Sequence, residues 1–333
     1  MRFPLTSRRL YAAAFACAAV IAASASAQET APQAAVDPLL TRIKIATVGA
    51  ADVAATEALY EKWLDFKTFE RGTVSEAMAK SWGTPNTAGK AFVTMRGQGT
   101  PDVYLRVVAV DPVPGYKAMT TFGWNSIETL VEDPDAVYAK LKDSPFRHVG
   151  GPANLSGGTS PIRAVQFKGL AEEIFYFTAD TSPIDKAVLP RAKAFIDRPF
   201  IMVLAGPDAD AVSKFYTEKF LMKGYPPRPV AIGIIAEAQG LPADHEFPLG
   251  LARAAEPGNN IEIDGYPPSA TVRPRADGQL PPGVAMASFN VNSLDGLDID
   301  FIAPPANLYG GKRAATFVGP AGELTELIED PRP

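Results

Sequence analysis

The segment Pro152-Ala153-Asn154-Leu155-Ser156-Gly157-Gly158 returns as Pro305-Ala306-Asn307-Leu308-Tyr309-Gly310-Gly311, an offset of 153 residues in a chain of 333. A second echo runs at nearly the same spacing. Ala58-Leu59-Tyr60-Glu61-Lys62-Trp63-Leu64 and Lys214-Phe215-Tyr216-Thr217-Glu218-Lys219-Phe220 align tyrosine on tyrosine at an offset of 156. Two matches in the same order within each half identify an internal duplication, and duplicated units bury their apolar faces against one another. The fold is therefore to be sought as a multiple of one short unit.

Arg2, Arg8 and Arg9, the apolar run Leu10 to Ala23 and the Ala25-Ser26-Ala27 pattern predict a cleaved secretory signal, with a mature chain starting at Gln28. Ser7-Arg8-Arg9 has some likeness to a twin-arginine signal, but the following residues do not continue it, so general export to the periplasm or beyond is expected. The apolar run is shorter than the roughly 20 residues that span a bilayer, and no second stretch approaches that length, so no membrane anchoring is expected after cleavage. Cys17 lies inside the run and is the only cysteine, which leaves the mature chain without disulfide or thiolate chemistry. Removing residues 1–27 leaves 29 basic side chains against 37 acidic ones, a net charge of −8 that argues against nucleic acid and anionic membrane partners. A small molecule is the expected partner, and a homodimer stays open.

Periodicity divides the chain into four short modules. After a leader at 28–40, Ile43 to Val48 predicts a strand and Asp52 to Leu64 a helix with Asp52 as N-cap. Strands at Lys90 to Arg96 and Asp102 to Val110 follow. A second module has a strand at Ile127 to Val131, a helix at Asp133 to Leu141, and strands at Ala164 to Phe167 and Glu173 to Phe177. The pattern restarts with a strand at Phe200 to Leu204, a helix at Asp208 to Leu221 and a strand at Ile261 to Gly265. It ends with strands at Ala285 to Val291 and Leu324 to Glu329. Domains at 41–182 and 200–330, joined by a Pro-rich linker at 183–199, are expected. Pro226 to Glu256 predicts middle strands plus a long loop, and long loops often belong to sites.

The order of strand, Asp-capped helix ending in Tyr-x-x-x-Leu or Tyr-x-x-x-Phe, and three strands, with Gly319-Pro320-Ala321-Gly322-Glu323-Leu324-Thr325-Glu326-Leu327 near the end, resembles the vicinal oxygen chelate superfamily of glyoxalases, extradiol dioxygenases and bleomycin-resistance proteins. The resemblance covers nearly the whole mature chain and rests on the fourfold order. It implies an α+β fold of tandem domains, each of two paired β-α-β-β-β modules whose curved mixed sheets surround a cavity.

In metal-using members, the resemblance further implies ligands, usually His, Gln or Glu, on the opening and closing strands. The matching places here are Ile45 or Thr47, Arg106, Ser126 and Phe175 in the first half, and Ile201 or Val203, Glu262, Met286 and Glu326 in the second. That is a poor set for a divalent ion, so no cofactor is expected, beyond a divalent metal weakly held by Glu262, Glu326 and water. The mature chain has two histidines, His148 and His245, in loop-like segments of different halves. His245, beside Asp244 and Glu246, is the better candidate for acid or base work.

On the strand around Glu262, Asn260, Glu262 and Asp264 share one face and Ile261 and Ile263 the other. The polar face is expected to line a cavity with Glu326 across it, where burial and like-charge repulsion would tune one carboxyl for proton abstraction. A solvated strand rim is the alternative. Tyr104, Arg106 and Val108 likewise share a face, and an arginine among aromatics suits an anionic or aromatic ligand. Phe175 is placed with that ligand site or, more simply, in the core with Phe177. Trp124 beside Ser126 is the tryptophan nearest a site strand, and Trp63 is expected in helix packing. No dinucleotide glycine motif or nucleophile elbow is present. Gly169-Leu170-Ala171 and Gly319-Pro320-Ala321-Gly322 predict hairpin turns.

Three functions remain. The first is a metal-independent lyase or isomerase acting on a small, partly aromatic compound, with Glu262, Glu326 or His245 as catalytic groups. The second is a protein that binds or sequesters such a compound unchanged. The third, a metal-dependent dioxygenase or glyoxalase, lacks the histidines.

Overall fold

In the computed structural model, which describes residues 37–155 and 160–331, sixteen strands form two eight-stranded mixed sheets. The predicted signal, most of the leader, and Ser156 to Gly158 of the repeated segment lie outside the described residues. The first module runs β1 (Leu40–Ala50), α1 (Val53–Trp63), β2 (Lys67–Thr73), α2 (Glu76–Trp82), β3 (Ala91–Arg96) and β4 (Tyr104–Ala109). The second runs β5 (Gly123–Val131), α3 (Pro134–Leu141), β6 (Arg147–Asn154), β7 (Ile162–Lys168) and β8 (Ile174–Asp180). The third comprises β9 (Ile196–Gly206), α4 (Ala209–Lys219), β10 (Lys223–Ala231), α5 (Gly233–Gln239), β11 (Glu246–Arg253) and β12 (Asn260–Gly265). The last has strands alone among its described residues: β13 (Gly283–Val291), β14 (Ala306–Tyr309), β15 (Lys312–Val318) and β16 (Leu324–Glu329).

Three of the helices start where an aspartate satisfies an orphan amide of the first turn. Asp52 accepts from Ala55 N at 2.9 Å, Asp133 from Asp135 N at 2.8 Å and Asp208 from Ala211 N at 3.0 Å. The stretch Pro226 to Glu256, expected as middle strands plus a long loop, holds most of β10 and all of α5 and β11, so its strands are present and a helix stands between them. Helices α2 and α5, absent from the sequence expectation, occupy equivalent places in the first and third modules. Each is only seven residues long, too short for a resolved helical period.

The sheets cut across the consecutive halves 41–182 and 200–330. Sheet one has the order β14-β15-β16-β13-β1-β4-β3-β2 and draws on the first and fourth modules. Sheet two, β10-β11-β12-β9-β5-β8-β7-β6, draws on the second and third. The joins are antiparallel, β1 with β13 and β5 with β9, whereas within each module the opening strand runs parallel to the closing one. The linker expected at 183–199 holds a single turn at Ile184–Lys186, and its last residues already belong to β9.

Period-2 alternation gives each sheet two different faces. One face of each sheet joins a shared core in which Ile43, Leu105, Val107 and Phe289 of sheet one meet Ile127, Phe175, Phe177, Met202, Ile261 and Ile263 of sheet two, with Tyr60 and Tyr216 from α1 and α4. The opposite faces carry the polar residues. Val74, Met78 and Trp82 from α2 and its N-terminal approach cover that face of sheet one, and Ile234, Ile235 and Ala236 of α5 cover that of sheet two.

Candidate functional site

Four strands of sheet one bring a polar cluster to its α2-covered face. Thr47 on β1 is in register with Arg106 on the parallel β4, and Ser288 on β13 with Glu326 on the parallel β16. Glu326 is completely buried and accepts four hydrogen bonds. Oε1 takes Trp82 Nε1 at 2.8 Å and Tyr309 Oη at 2.7 Å, and Oε2 takes Ser288 Oγ at 2.6 Å and Arg106 Nη2 at 3.2 Å. Arg106, 1 % exposed, also donates through Nε to Thr47 Oγ1 at 3.1 Å and through Nη1 to Tyr309 Oη at 2.6 Å, and its guanidinium lies 4.6 Å from the Trp82 ring centroid. Burial raises the Tyr309 hydroxyl far above the ordinary phenol range, partly countered by Arg106, so this phenol serves as a donor and not as a base.

Arg106 and Tyr309 form part of the lining of a cavity of about 340 Å³. Its walls are mainly apolar, from Ile45, Phe69, Met78, Phe92, Leu308 and Ile328, with Tyr104 on the same side as Arg106. Tyr104 packs on Phe69 with ring centroids 4.9 Å apart. A guanidinium has five N–H donors, and Thr47, Glu326 and Tyr309 take three. The remaining two take part in none of these bonds, and Arg106 forms part of the cavity wall.

The equivalent face of sheet two is packed differently. Asn260, Glu262 and Asp264 do lie together on β12, buried, with Ile261 and Ile263 in the opposite core, as the alternation predicts. Glu128 on β5 joins them as a buried acid, accepting from Thr178 Oγ1 at 3.1 Å. Burial raises the Glu128 carboxyl to about 7, and burial together with the Glu128 charge raises Asp264 to about 8. Around them Leu130, Tyr176, Ile201, Phe247, Leu249 and residues of α5 fill the space with side chains.

Several sequence expectations change at this point. Glu262 and Glu326 do not face each other across one cavity, because β12 belongs to sheet two and β16 to sheet one. Phe175 is not in a ligand site. It packs against Tyr60 and Phe146 in the shared core, and its neighbour Tyr176 turns to the opposite face, among the side chains beneath α5, since one residue along a strand reverses the face. Trp124 is a buried strut whose indole donates to Leu324 O at 2.8 Å and packs on Phe289. Ser126 and Met286, both buried, stand two residues before Glu128 and Ser288, so the polar clusters take the next position along each strand. Met286 packs instead with Met78, Trp82 and Leu324. His245 precedes β11 in an open groove beside Asp208, Asp210 and Glu246, its ring 4.8 Å from Phe247, away from the Arg106 cluster. His148 packs on Tyr138 and Phe167 at the other edge of sheet two.

Tyr309, Trp82 and Ser288 escaped sequence reasoning. Tyr309 had a visible signal, since it is the one position at which the duplicated heptapeptides differ, tyrosine against Ser156. Ser288 follows from alternation with Met286. Trp82 arrives on α2, whose presence the periodicity does not show.

The architecture matches solved structures over most of the chain. It is similar to glyoxalase I from Zea mays, with a TM-score of 0.57 and 13% identity, covering 86% of this chain and 92% of that one. It is also similar to a putative dioxygenase from Bacillus subtilis, with a TM-score of 0.58 and 12% identity, covering 89% of this chain and 87% of that one. No family model matches the sequence, and no curated protein matches it. The chain has the fold of the vicinal oxygen chelate superfamily, with paired modules forming two curved sheets.

Thr47, Arg106, Ser288 and Glu326 converge on this face, and whether they could hold a divalent ion depends on their donor chemistry. These residues do not fit one, because the guanidinium of Arg106 is already bonded to the single carboxylate. Among the described residues no group of three or more His, Cys, Asp and Glu side chains converges as a ligand set.

Proposed function

We propose that the cavity of sheet one binds a small, mainly apolar or aromatic compound through an oxygen anion placed on Arg106. The observation that carries this reading is the buried guanidinium at the edge of an apolar cavity, fixed on Thr47, Glu326 and Tyr309 and retaining unused donors. A fixed positive charge in a desolvated pocket binds an oxyanion more strongly than the same charge in water. Glu326 acts as the positioning residue for Arg106, its four accepted hydrogen bonds leaving it poorly suited to proton abstraction. The N-terminal sequence supports export, so the compound would be met in the periplasm or outside the cell.

A metal-independent lyase or isomerase is the second reading, favoured by the guanidinium N–H groups of Arg106 that Thr47, Tyr309 and Glu326 do not take. Donors preset around a developing enolate or similar oxyanion are a large contributor to catalysis. Native mass spectrometry of the purified mature chain before and after denaturation tests the binding reading. An organic species released on unfolding and lost in Arg106→Gln supports it, and its recovery in altered form after incubation with the protein would select the enzyme. A stoichiometric divalent metal that persists in wild type and disappears in Glu326→Gln would overturn both.

A further inference from the structure

We propose that the chain has a second small-molecule site, for an apolar or aromatic body bearing one carboxylate, in the cleft where the ends of the two sheets meet. This cavity, of about 370 Å³, shares no lining residue with the Arg106 cavity, so the site is independent of the binding reading above. Its walls come from both sheets. Phe122 and Trp124 flank the first residue of β5 in sheet two, and Pro320 belongs to the turn between β15 and β16 in sheet one. Val272, Arg273 and Arg275 lie on the connection from β12 to β13. A concave, largely apolar and aromatic wall with a few polar groups is the usual form of a small-molecule pocket.

The two arginines set the ligand class. Arg273, 9 % exposed, donates through Nε to Thr121 Oγ1 at 3.0 Å and through Nη1 to Val284 O at 2.5 Å, while its Nη2 is buried without a partner. These acceptors are neutral, and among the described residues neither Arg273 nor Arg275 forms an ion pair. The acid in the wall, Glu323, is already engaged, its carboxyl folded back on Ala321 N and Tyr216 Oη. Asp208, next to Pro207 of the wall, caps α4, and Asp277 stands two residues beyond Arg275 without pairing with it. The connection carrying both arginines is held in place, because Thr271 bridges to Thr121 and Gly278 O accepts from Asn86 N at 2.9 Å. A buried guanidinium is costly without a counter-ion. A carboxylate in the cleft would supply one to Arg273, and Arg275, exposed on the same wall, would offer a second charged donor. An apolar body behind the carboxylate would cover Phe122, Trp124 and Val272, which a bare inorganic ion would leave wet.

Naphthalene-2-carboxylate, the uncharged naphthalene-2-carboxamide and inorganic phosphate are the probes, titrated by isothermal calorimetry against wild type, Arg275→Gln, Arg273→Gln and Arg106→Gln. Thermal melts of the four proteins verify folding, and if Arg273→Gln does not fold, the exposed Arg275→Gln decides. The expected result is that wild type binds the carboxylate at least about fivefold more tightly than the carboxamide, in a phase that Arg275→Gln and Arg273→Gln each weaken at least about threefold and Arg106→Gln retains. Equal affinity for carboxylate and carboxamide, an unchanged carboxylate isotherm in Arg275→Gln, or no binding at all would overturn the site. Phosphate binding as tight as that of the carboxylate would mark an adventitious ion only, with the same consequence. Carboxylate binding lost in Arg106→Gln and unchanged in Arg275→Gln would assign the probe to the other cavity, which overturns this site while supporting the Arg106 reading.

Discussion

Tyr60 on α1 donates a 2.7 Å hydrogen bond to Glu173 at the foot of β8, and Tyr216 on α4 repeats the contact at 2.8 Å with Glu323 at the foot of β16. Each pair joins a helix of one sheet's modules to a hairpin turn of the other's, so the two bonds clasp the sheets together at related points. The turns are built for it. The second carboxylate oxygen of Glu173 accepts from Ala171 N and that of Glu323 from Ala321 N, both at 2.8 Å. A Cβ on Gly169 would come within 1.7 Å of Glu173 Oε1, and one on Gly319 within 1.9 Å of Glu323 Oε1. Only glycine lets the carboxylate fold back under its own turn.

Tyr60→Phe and Tyr216→Phe should therefore each destabilise the protein by about 1–3 kcal/mol, because each leaves a buried carboxylate oxygen short of its donor. The two changes should add, since the sites share no partner. Urea unfolding of the single and double variants checks both statements, and a loss below a few tenths of a kcal/mol would show that the clasps contribute little.

Stability should fall as pH rises from about 4 to 8. Burial pushes the carboxyls of Glu128, Glu173 and Glu323 up to about 7 and that of Asp264 to about 8. In the unfolded chain such groups ionise near 4. Below that pH both states are protonated. Between it and the raised values only the folded state retains the protons, so each added pH unit favours unfolding until the buried groups ionise. Melting curves at pH 5 and pH 8 should show the lower midpoint at pH 8, and Asp264→Asn should flatten the difference.

Glu326→Gln should cost about 3–5 kcal/mol, since it strands the Arg106 guanidinium in a buried place without its counter-ion. Replacing both partners, as in Arg106→Met with Glu326→Leu, should recover much of that loss while abolishing ligand binding. Chemical denaturation separates the two outcomes, which a purely catalytic carboxylate would not produce.

Ligand binding should change the fluorescence of Trp82, whose indole donates to Glu326 beside the cavity. Trp63 and Trp124 pack elsewhere and should respond little. The signal should vanish in Trp82→Phe and survive treatment with a chelator, because the positive charge belongs to the chain and not to an ion. Loss of the response on chelation would contradict the assignment of Arg106.

His245→Ala should leave both binding and stability within about 0.5 kcal/mol of wild type, as expected for a partly exposed side chain outside the cavity. Titration and melting of that variant test the demotion of this histidine.

The repeated unit, the Asp-capped helices and the two-faced strands were legible in the residues alone, because duplication, capping and alternation are local properties. Alternation on β4 put Tyr104 and Arg106 on one face, and on β12 it put Asn260, Glu262 and Asp264 together. Tertiary structure alone decided which modules share a sheet. Each module presents the same kind of edge, so the pairing of first with fourth and second with third is settled by burial of apolar faces between the sheets, a long-range property that no local spacing encodes. That pairing separates Glu262 from Glu326 and brings Glu326 instead onto Arg106, from the far end of the chain. The functional consequence is a site whose positive charge is a side chain, visible as a lone arginine in the sequence and as a paired, cavity-lining guanidinium only once β4 and β16 lie in one sheet.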